Sequence, residues 1–180
     1  MIIGITGLSA SGKDTVAEIL EQHGFANFSL SDIIREYCRS IGQETTRENL
    51  IAAGKYLRET YGNDYLPAQV IKKIREQKIE NTVIVSLRHP DEIRLLKKEP
   101  DFKLVIVESP IEMRFARTQV RQGRPEDKDN FEEFKAHEDQ ERTGTAGGQQ
   151  INAVMAIADL TIENTGTIEK LKEKVGKLIS

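Results

Sequence analysis

Short apolar runs alternate with longer amphipathic stretches along this chain. Ile2-Ile3-Gly4-Ile5 reads as a short buried strand, after which Val16, Ile19 and Leu20 recur at helical spacing. Phe25 to Ser29 reads as a second strand, and Ser31 and Asp32 are placed to cap a helix from about Ile33 to Ile41. Thr45-Thr46-Arg47-Glu48 has the form of a capping box ahead of Leu50, Ala53, Leu57 and Tyr61 on one face. Pro67 predicts a helix start, with the helix running to about Lys78. Thr82 to Leu87 is a third strand, Pro90 starts a helix through Leu95 and Leu96, and Lys103 to Val107 is a fourth strand. Ser109-Pro110-Ile111-Glu112 opens a further helix. A polar stretch from Gln122 to Asn130 interrupts the pattern. Helix resumes near Phe131, breaks over Thr143 to Gly148 and returns over Ile151 to Ala158. Leu160 to Ile162 is a last short strand, and Ile168 to Ile179 is the closing helix.

Strands alternating with helices predict an α/β fold with a parallel sheet, formed as one domain over residues 1–180. No repeats or low-complexity tracts are present. Two segments, about 31–78 and about 122–149, are longer than strand crossovers require, and long excursions from a compact sheet tend to be functional. In an open parallel sheet they are expected over the carboxyl ends of the strands.

The first strand and first helix enclose Gly7-Leu8-Ser9-Ala10-Ser11-Gly12-Lys13-Asp14-Thr15. Strand, glycine loop and helix in this order form the context of a phosphate-binding loop. Gly7 and Gly12 let the backbone turn tightly, so that several N–H groups converge on one anion. The helix aims its positive end at the same place, and Lys13 reaches the outer phosphates as a point charge. Ser or Thr is usual after that lysine, where its hydroxyl binds magnesium. Here the position is Asp14. Its carboxylate is also a hard oxygen donor, and Thr15 is an alternative.

Cationic candidates fall in two places. Arg35 and Arg88, with Arg58 as a weaker third, suit a phosphate held in one orientation. Arg88 follows the third strand, where sites form in such sheets. Arg114, Arg117, Arg121 and Arg124 step by three, four and three, which predicts one helical stripe. Like charges so arranged repel unless an anion neutralises them. Asp32 lies among these groups as the candidate for ordering magnesium or accepting the acceptor's proton, or simply for capping its helix.

Composition narrows the function classes. Charged residues make up 31% and the net charge is −3, which gives no global drive toward nucleic acid or anionic membrane. The apolar runs are strand-sized, so no membrane span is expected. Cys38 is the only cysteine, so an internal disulfide is impossible and a cytoplasmic setting is expected. The three histidines and the cysteine show no metal-site spacing.

Several segments carry a family resemblance: Phe28-Ser29-Leu30-Ser31-Asp32-Ile33-Ile34-Arg35-Glu36, Tyr56-Leu57-Arg58-Glu59, Leu87-Arg88, Arg114-Phe115-Ala116-Arg117 and Ile162-Glu163-Asn164-Thr165-Gly166. With the glycine loop they make the chain resemble, over nearly its full length, P-loop kinases of the nucleoside-monophosphate-kinase-like group. That group includes adenylate kinase relatives, dephospho-CoA kinases, phage-type deoxynucleoside-monophosphate kinases and animal-type phosphomevalonate kinases. In overall wording the chain is most similar to archaeal-type proteins described as adenylate-kinase- or dephospho-CoA-kinase-related. The Gly-Lys-Asp form of the loop is similar to the deoxynucleotide and phosphomevalonate branches, and Ser86-Leu87-Arg88-His89-Pro90-Asp91-Glu92 resembles the deoxynucleotide branch.

The resemblance implies a three-layer P-loop NTPase fold with a five-stranded parallel sheet, plus helical acceptor-binding and lid segments. It implies ATP and magnesium as cofactors. Gly7, Ser9, Ala10, Ser11, Gly12, Lys13, Asp14 and Thr15 would cradle ATP, with Arg117, Asn164 and Gly166 beside it. Ser31, Asp32, Arg35, Arg58, Arg88 and Glu92 would meet the acceptor, Glu92 at a base-reading position. Lys13, Asp32, Arg117 and Arg121 would serve the transfer, Arg117, Arg121 and Arg124 belonging to the lid, and Asp14 and Asp32 would order the metal. Relatives usually end the third strand with a magnesium-holding Asp, but Val85-Ser86 has no carboxylate, and His137 stands where relatives tend to carry an arginine. The partners so implied are ATP and a small phosphorylated acceptor, most simply a nucleoside or deoxynucleoside monophosphate. Dephospho-CoA is the alternative acceptor, and a nucleotide-binding switch without a small acceptor is the alternative class. Oligomeric state is not encoded in any of these features.

Overall fold

The protein is described by a computed structural model covering residues 1–120, 130–143 and 149–179. Its strands are β1 (Ile2–Thr6), β2 (Ala26–Ser29), β3 (Thr82–Val85), β4 (Phe102–Glu108) and β5 (Leu160–Glu163). The helices are α1 (Lys13–Gln22), α2 (Leu30–Ser40), α3 (Arg47–Tyr61), α4 (Tyr65–Gln77), α5 (Pro90–Leu96), α6 (Ile111–Val120), α7 (Phe131–Arg142), α8 (Ile151–Met155) and α9 (Ile168–Ile179).

The five strands form one parallel sheet in the order β2-β3-β1-β4-β5. Alternation along the strands sorts the core into two layers. Ile3, Ile5, Val83, Val85, Val105 and Val107 face α1 and α9, meeting Val16, Leu20, Leu171 and Val175. Ile84 and Leu104 face the other way, with Leu30, Leu57, Leu66, Val70, Ile93 and Leu96 from α2 to α5. Gly4 lies on this second face, where a side chain would collide with Leu87 and Phe102. The central strands β1, β3 and β4 are thus buried on both faces, as strands of parallel sheets are. This is the expected three-layer α/β architecture.

Local starts and stops differ from the sequence reading in four places. α2 begins at Leu30, directly after β2, with Ser29 as its N-cap residue. The reason is the apolar stripe Leu30, Ile34 and Cys38, all buried, which starts earlier than Ile33. Ser31 and Asp32 therefore lie in the first turn and do not cap. α3 is capped by Thr46, whose side chain accepts from Asn49 N. Glu48 cannot close a box from that register, because the third helical residue is Asn49. α4 starts at Tyr65, which puts Pro67 inside its first turn, where a missing N–H costs nothing. β3 stops at Val85 because Ser86 turns into the left-handed region, with φ of 67°.

Candidate phosphate site

The carboxyl ends of β1, β3 and β4 converge on the segment from Gly7 to Gly12. Thr6 Oγ1 donates to Leu87 O at 3.1 Å and ties the exit of β1 to the exit of β3. Gly7 has φ of 141°, and a side chain there would strike Val107 O of β4. Gly12, the N-cap residue of α1, has φ of 103°, and a Cβ would strike the Asn164 amide. Both positions require glycine for the reason expected. Ala10 also adopts a left-handed conformation, with φ of 57°.

The carbonyl oxygens of this loop are held by donors. Leu8 O accepts from Lys13 Nζ at 2.6 Å. Ser9 O accepts from Arg114 at 3.3 Å, and Ala10 O from Arg117 at 3.2 Å. Ser11 O accepts from Arg117 at 3.2 Å and from Asn164 Nδ2 at 2.9 Å. Four successive carbonyls are thus engaged with side-chain cations or an amide. Ser11 N–H closes a turn on Leu8 O at 3.3 Å, and the rest of the loop's N–H edge lies at the positive end of α1, where an anion is favoured. Ser11 Oγ is buried and has no hydrogen-bond partner among the described residues. These are the attributes of an anion cradle.

Arg117 was expected over the transferring phosphate. The structure places its guanidinium on Ala10 O, Ser11 O, Ser109 Oγ at 2.8 Å and Asn164 O at 2.7 Å. It acts as a brace that joins α6, the loop and the end of β5. Asn164, expected beside adenine, is buried and belongs to the same brace, its backbone carbonyl also accepting from the Ser109 hydroxyl. Gly166 packs against Lys170 on α9. Arg114 is buried, and Glu138 of α7 neutralises it with both carboxylate oxygens. The stripe of arginines therefore meets a protein carboxylate at its first member. Arg121 and Arg124 lie outside the described residues, as do residues 122–129 and 144–148 of the expected lid, whose middle is α7.

Lys13 sits among Arg88, Arg114, Asp14 and Glu141. Burial, then the charge of Arg88, push its pKa down to about 8. Arg88, at the exit of β3, donates to Gln149 Oε1 at 2.6 Å and pairs with Glu141 at 3.5 Å. Lys13 and Arg88 thus lie close enough for the charge of one to act on the other. Asp14 and Thr15 lie in the first turn of α1, Asp14 exposed and Thr15 half-buried. Asp32 and Arg35 form an exposed pair at 2.7 Å one turn into α2. At the position of the absent carboxylate, Ser86 Oγ meets Ser29 Oγ at 3.1 Å. Asp14, Thr15 and Asp32 carry oxygens of the type a magnesium ion takes, but among the described residues no three His, Cys, Asp or Glu side chains cluster as a metal site.

Two expected acceptor contacts are corrected by the geometry. Glu92 is fully buried, and its Oε1 accepts from Arg58 Nε and NH2 at 3.2 and 2.8 Å. Its Oε2 accepts from Arg88 N at 2.7 Å and His89 N at 3.0 Å. A carboxylate with both oxygens so engaged has no edge left to read a base. Arg58 is likewise buried against Glu92 and does not face the site. The pair instead holds the N-terminus of α5, where the His89 ring accepts from Asp91 N and completes a capping box with Glu92. Burial lowers the pKa of His89 and favours the neutral ring that this cap needs.

Glu138 and Glu141 were not anticipated. On sequence they belong to an acid-rich helix that reads as a solvated face, and only their spacing of three residues hints that one side points inward.

Comparison with known proteins agrees with this geometry. The AAA domain family matches residues 6–135. A UPF0200/UPF0201 protein of Archaeoglobus fulgidus is 34% identical over 99% of this chain; the chain spans 54% of that relative's length. A UPF0200 protein of Thermococcus gammatolerans is 33% identical, with 99% of this chain and 94% of the relative covered. Among solved structures, shikimate kinase from Bacteroides thetaiotaomicron aligns with a TM-score of 0.60 at 14% identity, covering 99% of this chain and 98% of that one. Shikimate kinase from Aquifex aeolicus aligns with a TM-score of 0.56 at 16% identity, covering 99% and 96%. These structures show a shared P-loop kinase fold. No helix among the described residues is long and apolar enough to cross a membrane.

Proposed function

The chain belongs to the UPF0200 and AAA domain families, and from that premise we propose that it transfers the γ-phosphoryl group of ATP to a small phosphorylated acceptor, with nucleoside and deoxynucleoside monophosphates as the first class. One observation carries the reading: the carbonyls of Leu8 to Ser11 are all engaged, which turns the loop's remaining N–H groups and the start of α1 toward a phosphate. Phosphoryl transfer asks the protein mainly for positioning and positive charge. Lys13 supplies charge to the outer phosphates from within the loop. Arg88 clamps the acceptor's phosphate from the end of β3, and Arg35, once parted from Asp32, adds a second cation from α2. Asp14 and Asp32, with Thr15, would hold magnesium, which neutralises charge on the transferring group. Arg114, Arg117 and Asn164 act on the loop's shape and not on the phosphate directly. The buried Arg58–Glu92 pair leaves recognition of the rest of the acceptor to other residues of the 31–78 segment.

The test is an ATP-consumption screen over nucleoside and deoxynucleoside monophosphates, dephospho-CoA and phosphomevalonate. Transfer to a monophosphate, absent in Lys13→Ala, is the expected result. Transfer only to dephospho-CoA would move the assignment to that acceptor. Hydrolysis without transfer to any of them would replace the kinase reading by a nucleotide-dependent switch.

A further inference from the structure

α7 points two carboxylates, three residues apart, at the cations around the loop. They are held very differently. Glu138 is buried with Arg114 and also accepts from Arg142 at 2.9 and 3.2 Å, so it is a fixed structural counter-ion. Glu141 keeps 17% of its side chain exposed, its partner Arg88 keeps 32%, and the charges of the two meet at 3.5 Å. That is longer than a charge-assisted hydrogen bond, and ion pairs with solvent access are weak. Glu141 also acts on Lys13, raising its proton affinity while Arg88 and Arg114 lower it. A carboxylate of the chain is thus attracted by the two cations that the functional reading assigns to phosphate.

Resting on that reading, we infer that Glu141 is a positioning residue that competes with phosphate for Arg88: its carboxylate holds the guanidinium at the phosphate site, and an incoming phosphate displaces it. Gln149 makes the exchange workable. Its neutral Oε1 accepts from Arg88 NH1 at 2.6 Å and keeps the guanidinium aligned whichever anion it faces. The neighbouring carboxylate Glu138 does not exchange, because breaking a buried pair strands a charge. Glu141 therefore tunes phosphate affinity downward, while Glu138 fixes α7 in place.

The experiment measures pyrophosphate binding by calorimetry in EDTA, at low salt and pH 7, for the parent chain, Glu141→Gln and Gln149→Glu. Removing the internal anion should tighten binding about two- to fivefold, the range expected for a partly exposed ion pair. Adding a second carboxylate at residue 149 should weaken binding by a similar factor, and it keeps the test alive if Glu141→Gln folds poorly. In the transfer assay, Glu141→Gln should lower KM for the phosphorylated acceptor without raising kcat. A merely structural role predicts the opposite sign in affinity. If the parent binds pyrophosphate but Glu141→Gln binds it equally or more weakly, the inference fails alone. If the parent does not bind pyrophosphate at all, the phosphate-site reading fails with it.

Discussion

Replacing Arg58 by methionine separates two roles for one residue. Read from sequence, Arg58 contacts the acceptor; read from the structure, it is the side-chain cation bonded to Glu92, a fully buried carboxylate. Methionine keeps much of the length and removes the charge. Glu92 would then retain only the N–H groups of Arg88 and His89. At the 2.8 Å separation the gross attraction is about 6 kcal/mol for an effective dielectric near 20. Desolvation of both groups cancels part of that in the native pair, but removing Arg58 leaves the desolvation of Glu92 uncompensated. The expected loss is therefore about 3–4 kcal/mol, within the range for breaking a buried pair. For a chain of this size it corresponds to a fall in Tm of roughly 10 °C. Urea denaturation at pH 7 measures it directly. The double variant Arg58→Met/Glu92→Gln should be more stable than Arg58→Met alone, because no unpaired charge stays buried, and the cycle isolates the coupling. A loss below about 1 kcal/mol, accompanied by a raised KM for the acceptor, would refute the structural assignment and return Arg58 to the acceptor site.

Gly12→Ala should cost about 1–3 kcal/mol from its left-handed backbone and displace Asn164, so ATP affinity should fall more than tenfold in a titration while the melt remains cooperative. Phosphate affinity should fall as pH rises through about 8, where Lys13 loses its charge. In the stability profile the sign is reversed. The folded chain releases this proton before the unfolded chain, whose lysine titrates near 10.5, so Lys13 makes stability rise between about 8 and 10.5. Lys13→Met should flatten that part of the urea profile. Asp14→Asn should weaken the magnesium-dependent rate about a hundredfold while leaving metal-free nucleotide affinity nearly unchanged. A magnesium titration superimposable on the parent's would reduce Asp14 to a first-turn helix charge.

The loop and its flanking elements were legible because their physics is local. A strand-sized apolar run, two glycines at turns and a lysine at a helix start carry their meaning within fifteen residues. The parallel sheet followed from alternation alone. The partners of the arginines were not legible, because each depends on which distant helix packs nearby. Arg58 and Arg88 are both read from sequence as cations for an acceptor phosphate, yet one is sealed against Glu92 and the other meets Glu141. Arg117 lies on the expected side of its helix, but its targets are backbone carbonyls, which no side-chain pattern announces. The start of α2 was misplaced because Ser31 and Asp32 are good capping residues. The buried stripe from Leu30 outweighs that local preference.

The central place of β1 has a kinetic consequence. Ile2 pairs with Thr82 on one side and with Phe102 on the other, so both neighbours of this strand are remote in the chain. The α2–α4 helices form contacts among near neighbours and are free to collapse early, whereas closing β1 between β3 and β4 must wait for two long loops to be brought together. The glycine loop takes its shape from Val107, Leu87 and Asn164, which arrive with those strands and with β5. Refolding followed by a fluorescent nucleotide should therefore lag behind recovery of helical circular dichroism. The slow step in making a competent molecule is the assembly of its central strand.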